Sequence, residues 1–251
     1  SISKGTVTQC GDIRAELKSV RKASKLYLTV SVEGTEWKNT WPVWVYPRIE
    51  SLNVGDVLLT QDVEEALAAL NQGRKVLFSP KMSYLKGLEG KFLPVFWSPV
   101  HFPRQAGTMG LLCNTQHAAL RHFPTEMHSN WQWWSIVRHA RPFILNATRH
   151  EYKPLIQVVD NVERNHKLGL LFEFAVDNGK VLVCMSNLEA IRHTPEGGQL
   201  RNAILSYMKS AEFSPTETLT SQQLQHILTT EVRKQDIVGV KNQSDYDVQP
   251  E

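Results

Sequence analysis

Leu168-Gly169-Leu170-Leu171-Phe172-Glu173-Phe174-Ala175, then Asp177-Asn178-Gly179, then Lys180-Val181-Leu182-Val183-Cys184-Met185, is the stretch on which the fold reading turns. Both flanking runs are apolar at nearly every position, as in strands covered on both faces. The Asp-Asn-Gly step between them is a hairpin signal, because these residues accept the backbone angles of tight turns. Glu173 stands inside the first run and is the most unusual acid of the chain.

Working outward, Leu155-Ile156-Gln157-Val158-Val159 reads as another strand. Asp160 and Asn161 stand at its carboxyl end, where open α/β sheets place ligands; a turn-forming pair is the plainer reading. Downstream, a helix is predicted over 196–210, with Leu200, Ile204, Leu205 and Met208 at core spacing, and Thr220 can cap a last one over 221–230. From about residue 55 the same rhythm holds. Val57-Leu58-Leu59 is a short strand, and Asp62 can cap a helix over 63–71, with Glu64 and Glu65 where the helix dipole favours them. Gly73 stops that helix, Lys75-Val76-Leu77-Phe78 is a buried strand, and 92–97 and 110–113 are further extended candidates. Strands alternating with amphipathic helices predict an α/β, flavodoxin-like fold, its mainly parallel sheet covered by helices on both faces.

Residues 1–50 differ. Lys25-Leu26-Tyr27-Leu28-Thr29-Val30-Ser31-Val32 alternates apolar and polar residues, Glu33-Gly34-Thr35 marks a turn, and Trp41-Pro42-Val43-Trp44-Val45-Tyr46-Pro47 is a second strand. Ile13 to Leu17 fits either a strand or a short helix. So few strands do not make a stable sheet alone. They read as the end of a β-sandwich, or as strands docked on the next domain. The expected division is a β-segment over 1–50, an α/β domain over 51–235 and a polar tail over 236–251.

The chain has 251 residues, 41% hydrophobic and 21% charged, within the range of ordinary folded domains. Its 28 basic and 25 acidic residues are scattered, and a net +3 is too small to point to nucleic acid or an anionic membrane. No apolar run approaches the roughly 20 residues of a spanning helix. The opening Ser1-Ile2-Ser3-Lys4-Gly5 has no signal-peptide pattern, and the start without Met suggests a piece of a longer protein. Cys10, Cys113 and Cys184 cannot all pair; Cys113 and Cys184 sit in apolar runs that suit inert, buried thiols. The nine histidines lack zinc-ligand spacing, so neither metal nor cofactor is expected.

The chemistry-bearing patterns are sparse. A nucleophile elbow after Val76-Leu77-Phe78 would fall on Ser79-Pro80-Lys81-Met82-Ser83, which has no cysteine and no Gly-x-Ser-x-Gly frame. Gly87, Gly90, Gly197 and Gly198 form no phosphate-binding frame. Glycoside hydrolysis needs two facing carboxylates, for which Glu126, Asp160, Glu163, Glu173 and Asp177 are available. The densest feature is His128-Ser129-Asn130-Trp131-Gln132-Trp133-Trp134. Ser129 can cap a helix over 130–138, which puts Trp131 and Trp134 on one face and turns Trp133 away. Core burial of two of the three indoles is the plain expectation; a sugar platform, with His128 nearby, is the sharper one.

Several segments together resemble the C-terminal region of bacterial glycoside hydrolase family 2, the β-galactosidase-like, sugar-binding proteins. They are Asn39-Thr40-Trp41-Pro42-Val43-Trp44-Val45-Tyr46-Pro47, Gln116-His117-Ala118-Ala119-Leu120, Phe123-Pro124-Thr125-Glu126 and Asn130-Trp131-Gln132-Trp133-Trp134. Pro154-Leu155-Ile156-Gln157-Val158-Val159-Asp160, Leu168-Gly169-Leu170-Leu171-Phe172-Glu173 and Leu205-Ser206-Tyr207-Met208-Lys209-Ser210 complete the set. The resemblance implies a class I glutamine amidotransferase-like domain without its catalytic cysteine. It also implies a hydrolytic barrel elsewhere, since a barrel takes about 250 residues by itself. No catalytic residue of that family can be carried onto this chain.

The expectation is therefore a non-catalytic accessory module of a glycoside hydrolase, partnered by upstream catalytic and β-sandwich domains of the same periplasmic or secreted chain, with a homo-oligomer as a further possibility. The alternatives are a carbohydrate-binding module using Trp131, Trp133 and Trp134 with His128, and a hydrolase in which Asp160 or Glu173 pairs with a histidine.

Overall fold

The computed structural model describes residues 4–49, 53–81, 108–160 and 165–229. The expected strand over 92–97, the polar tail over 236–251, and Ser83, Gly87, Gly90, Asn161 and Glu163 lie outside the described residues. The chain divides into two units, Ser1–Pro47 and Arg48–Glu251.

The first unit is one antiparallel hairpin of β1 (Ser24–Ser31) and β2 (Lys38–Val45). Leu28 pairs with Trp41 and Val30 with Asn39. Side chains alternate along a strand, so Leu26, Leu28, Val30, Trp41 and Val43 share a face. Leu28, Val30 and Trp41 on that face are 38%, 42% and 46% exposed. Trp44 is the one buried apolar residue of this unit among the described residues. Ile13 to Leu17 forms neither strand nor helix.

The second unit is built on an eight-stranded sheet. Its path runs β3 (Val57–Thr60), β4 (Lys75–Phe78), β9 (Gly179–Cys184), β8 (Leu168–Val176), β7 (Ile156–Asp160) and β5 (Thr108–Cys113). β6 (Phe143–Ile144) and β10 (Thr218–Leu219) also pair with β8. This corrects the expected mainly parallel, flavodoxin-like sheet. Only β3–β4, β4–β9 and β10–β8 are parallel, whereas β9–β8, β8–β7, β7–β5 and β6–β8 are antiparallel. The physical reason is that complete burial, not direction, makes a strand continuously apolar. β8 is buried at every position except Ala175, yet its two main neighbours run against it.

The helices are α1 (Val63–Asn71), α2 (Trp134–Arg138), α3 (Pro195–Lys209) and α4 (Ser221–Thr229). α1 crosses between parallel β3 and β4 as a short βαβ unit and packs with α4. α3 packs with α2 and the turn Ala118–Leu120. Asp62 caps α1 by accepting from the Glu65 amide at 2.8 Å, and Gly73 leaves the helix at a φ of 77°. Beside it, the β8–β9 turn holds Asp177 at a φ of 48°. A Cβ on Gly179 would lie 2.7 Å from the Arg74 and Leu70 carbonyl oxygens, so only glycine lets the turn close on the end of α1.

One edge of β8 is shared by three partners. β7 pairs with it up to Leu171 and β10 takes over at Ala175. Between them the Tyr152 hydroxyl accepts from the Glu173 amide at 3.2 Å and donates to the Glu173 carbonyl at 3.0 Å. A side chain stands in for a missing strand residue, and its ring stacks on Phe174 at 5.0 Å. Tyr152→Phe keeps the stacking and orphans both backbone groups. Each buried unpaired group costs about 1–3 kcal/mol, so urea unfolding should show a loss of at least that size; an unchanged midpoint would refute this role for the phenol.

Candidate functional site

Three places in the second unit gather polar or aromatic chemistry. The first is the carboxyl end of parallel β3 and β4. A cavity of about 670 Å³ opens there, lined among others by Thr60, Asp62, Ser79, Glu189 and Arg201. Several of its polar groups are already engaged within the protein. Asp62 caps α1, Thr60 donates to Glu65, and Arg201 pairs with Glu189 at 3.4 Å. The Ser79 hydroxyl, at the elbow position, donates to the Ser186 carbonyl at 2.8 Å and accepts from the Leu188 amide at 3.0 Å. A serine nucleophile must hand its proton to a base, and a peptide carbonyl is not one.

The second place is Glu173. Its side chain comes off β8 and accepts the Tyr207 hydroxyl of α3, at 2.9 and 3.1 Å from its two oxygens. His117 Nε2 stands 3.9 Å from Oε1, and the His117 and Tyr207 rings meet edge to face at 5.2 Å. Burial pushes the Glu173 carboxyl up to about 7, although the Tyr207 hydrogen bond and the Lys180 charge pull it down. Burial also holds His117 below its ordinary value, against the charge of Glu212. An acid raised toward neutrality beside an imidazole kept neutral is a buried polar contact, not an ion pair. Arg121 closes the rim through a two-pronged bond to Glu212 at 2.7 and 2.5 Å.

Asp160 is buried at the far end of β7 and accepts the His166 amide at 3.0 Å. Val158 pairs with Leu168, so Asp160 lies two residues beyond that pair and Glu173 five residues to its other side. At about 3.4 Å per residue the two are on the order of 20 Å apart. Glycosidase carboxylates sit within about 10 Å of each other, so these two do not form such a pair. The thiols fare similarly: Cys113 and Cys184 are buried, and burial pushes each to about 12.

The third place is the tryptophan cluster. Asn130, not Ser129, caps it, accepting from the Gln132 amide at 3.2 Å, because the Ser129 hydroxyl faces the Leu111 amide of β5. Trp131–Trp133 is a 3-10 turn that runs into α2. Trp133 is buried, donates from Nε1 to Thr125 Oγ1 at 2.9 Å, and meets Phe123 edge to face at 5.2 Å. Trp131 and Trp134 are 59% and 48% exposed. One indole of the three is thus core, where two were expected. Arg138 lies 5.5 Å over the Trp134 ring. Exposed His128 places Nε2 3.5 Å from Glu126 Oε2, which also accepts from Asn130 Nδ2 at 2.8 Å. The Met127 carbonyl accepts from Cys113, tying this loop to the outer edge of β5.

Sequence reasoning missed Tyr152 and Tyr207, and it did not identify His117 as the histidine beside Glu173. Tyr207 stands one turn from Ala203 and beside the core stripe of α3, but nothing along the chain links it to a glutamate on a strand.

Glu173 makes stability depend on pH with a definite sign. Its folded value, about 7, lies above the ordinary 4.5, so the native state holds the proton more tightly. That contribution is fully present below pH 4.5 and is lost as pH rises through 7, about 3 kcal/mol in all. His117, held low, acts in the opposite direction, so the measurement is a difference. Wild type minus Glu173→Gln should lose stability between pH 5 and pH 8 in denaturant titrations; a flat difference would refute the assignment.

A family model described as Domain of unknown function (DUF8487) matches residues 58–229. A second, described as Domain of unknown function (DUF8488), matches residues 1–47. No curated protein matches the chain.

Proposed function

We propose, for a chain that belongs to the DUF8487 family, the role of a non-catalytic accessory module in a carbohydrate-active, glycoside hydrolase-like protein. The observation that carries this reading is Ser79. It occupies the carboxyl end of a parallel strand beside a cavity, where an open sheet exposes reactive groups, and both of its hydrogen-bonding capacities are spent on backbone.

Two further observations support the reading. The buried, protonated Cys113 and Cys184 offer no substitute nucleophile, and Asp160 and Glu173 lie too far apart to act as two facing carboxylates. The carbohydrate link rests on the resemblance of segments such as Asn39 to Pro47 and Asn130 to Trp134 to family 2 glycoside hydrolases. The partners this suggests are a catalytic domain and further β-strands of the same periplasmic or secreted chain. The exposed apolar face of Leu28, Val30 and Trp41 supports such a docking, since a lone hairpin is marginal in water.

The test is turnover. The purified chain, incubated with aryl glycosides, glutamine and simple amides, should release product no faster than its Ser79→Ala variant. Turnover that disappears on Ser79→Ala would overturn the proposal.

A further inference from the structure

We propose that Trp131 and Trp134 form an aromatic platform for a neutral oligosaccharide, with Glu126, His128 and Asn130 as the polar rim that engages its hydroxyls. This deepens the accessory-module reading and rests on it for the class of ligand.

Several observations converge on that surface. Residues three apart in a 3-10 or α turn lie on the same side, and both indoles are about half exposed there. Their backbone is held fast. Trp133 between them is clamped by Thr125 and Phe123, and Gln132, itself buried, donates from Nε2 to the Pro124 carbonyl at 3.2 Å. A platform already rigid loses little freedom when a ligand settles on it. A pyranose ring needs such a surface, because one of its faces is a patch of C–H groups and its edge is a row of hydroxyls.

The rim supplies what the edge requires. The Asn130 amide and the His128 imidazole are planar groups that both approach the Glu126 carboxylate, at 2.8 and 3.5 Å. Between them they carry both acceptors and donors. The same rim disfavours the other flat ligand, a nucleic-acid base, because Glu126 repels a phosphate and the net charge of +3 is dispersed. Arg138 lies over one face of Trp134, and Trp131 is the more exposed of the two indoles. A protein partner would use the exposed Met127 with the indoles and would have little use for the charged rim.

The experiment titrates the purified chain with β-1,4-linked gluco-, galacto- and manno-oligosaccharides, read by tryptophan fluorescence and independently by calorimetry. Saturable binding is expected to at least one. Trp131→Ala and Trp134→Ala should each weaken it roughly tenfold, and Glu126→Gln less. Trp37→Ala, in the other unit, should leave it unchanged. Circular dichroism confirms that each variant is folded. No saturable binding by the folded wild type, or binding that survives the folded Trp131→Ala/Trp134→Ala double variant, would overturn the platform. So would self-association or protein capture that depends on the two indoles without any sugar binding. These outcomes are separate from turnover at Ser79, so the platform can fail while the non-catalytic reading stands, and the reverse.

Discussion

Satisfying the backbone of β8 is the constraint on which the second unit depends. A nine-residue strand buried almost end to end has no water to take its amide and carbonyl groups, so every one must meet protein. No single neighbour spans it. β6 and β7 flank its start, β9 and β10 its end, and the Tyr152 phenol fills the step between β7 and β10. The hydroxyl is as necessary to the ladder as a strand would be, because an unpaired buried amide costs as much as several apolar contacts contribute.

The same burial governs the electrostatics. Glu173 follows the pleat of β8 toward α3, and its charge is tolerated only through Tyr207, with Lys180 helping from β9. Its elevated proton affinity follows from its place in a strand that holds the sheet together. A perturbed carboxyl beside a histidine is often a sign of catalysis. Here Glu173 is buried and His117 half-buried beside Tyr207 of α3, and the more exposed chemistry lies elsewhere, on Trp131 and Trp134.

Much of the local architecture was legible along the chain, each time where the deciding physics is local. Asp62 before a helix with Glu64 and Glu65, Gly73 after it, and Asp-Asn-Gly between apolar runs all act through groups within a few residues. The tryptophan segment shows where that reach ends. Ser129 and Asn130 are equally good caps by type. The choice went to Asn130 because Ser129 is bound to Leu111 on β5, a neighbour eighteen residues away. Strand direction failed for a similar reason: a continuously apolar run reports two covered faces and carries no mark of which way its partners run.

The sequence alone determined where the longer strands and helices form, that Glu173 would be an acid among apolar neighbours, and that three indoles would crowd one turn, since these are properties of residue type and spacing. Only the tertiary structure decided that β8 runs against both main neighbours, that Tyr152 and Tyr207 serve Glu173, that Ser79 is spent on backbone, and that Trp133 goes inward while Trp131 and Trp134 stay out. The physical reason is that each of these is a hydrogen bond or burial between residues distant along the chain, and the energy of such a contact exists only once the chain has closed around it.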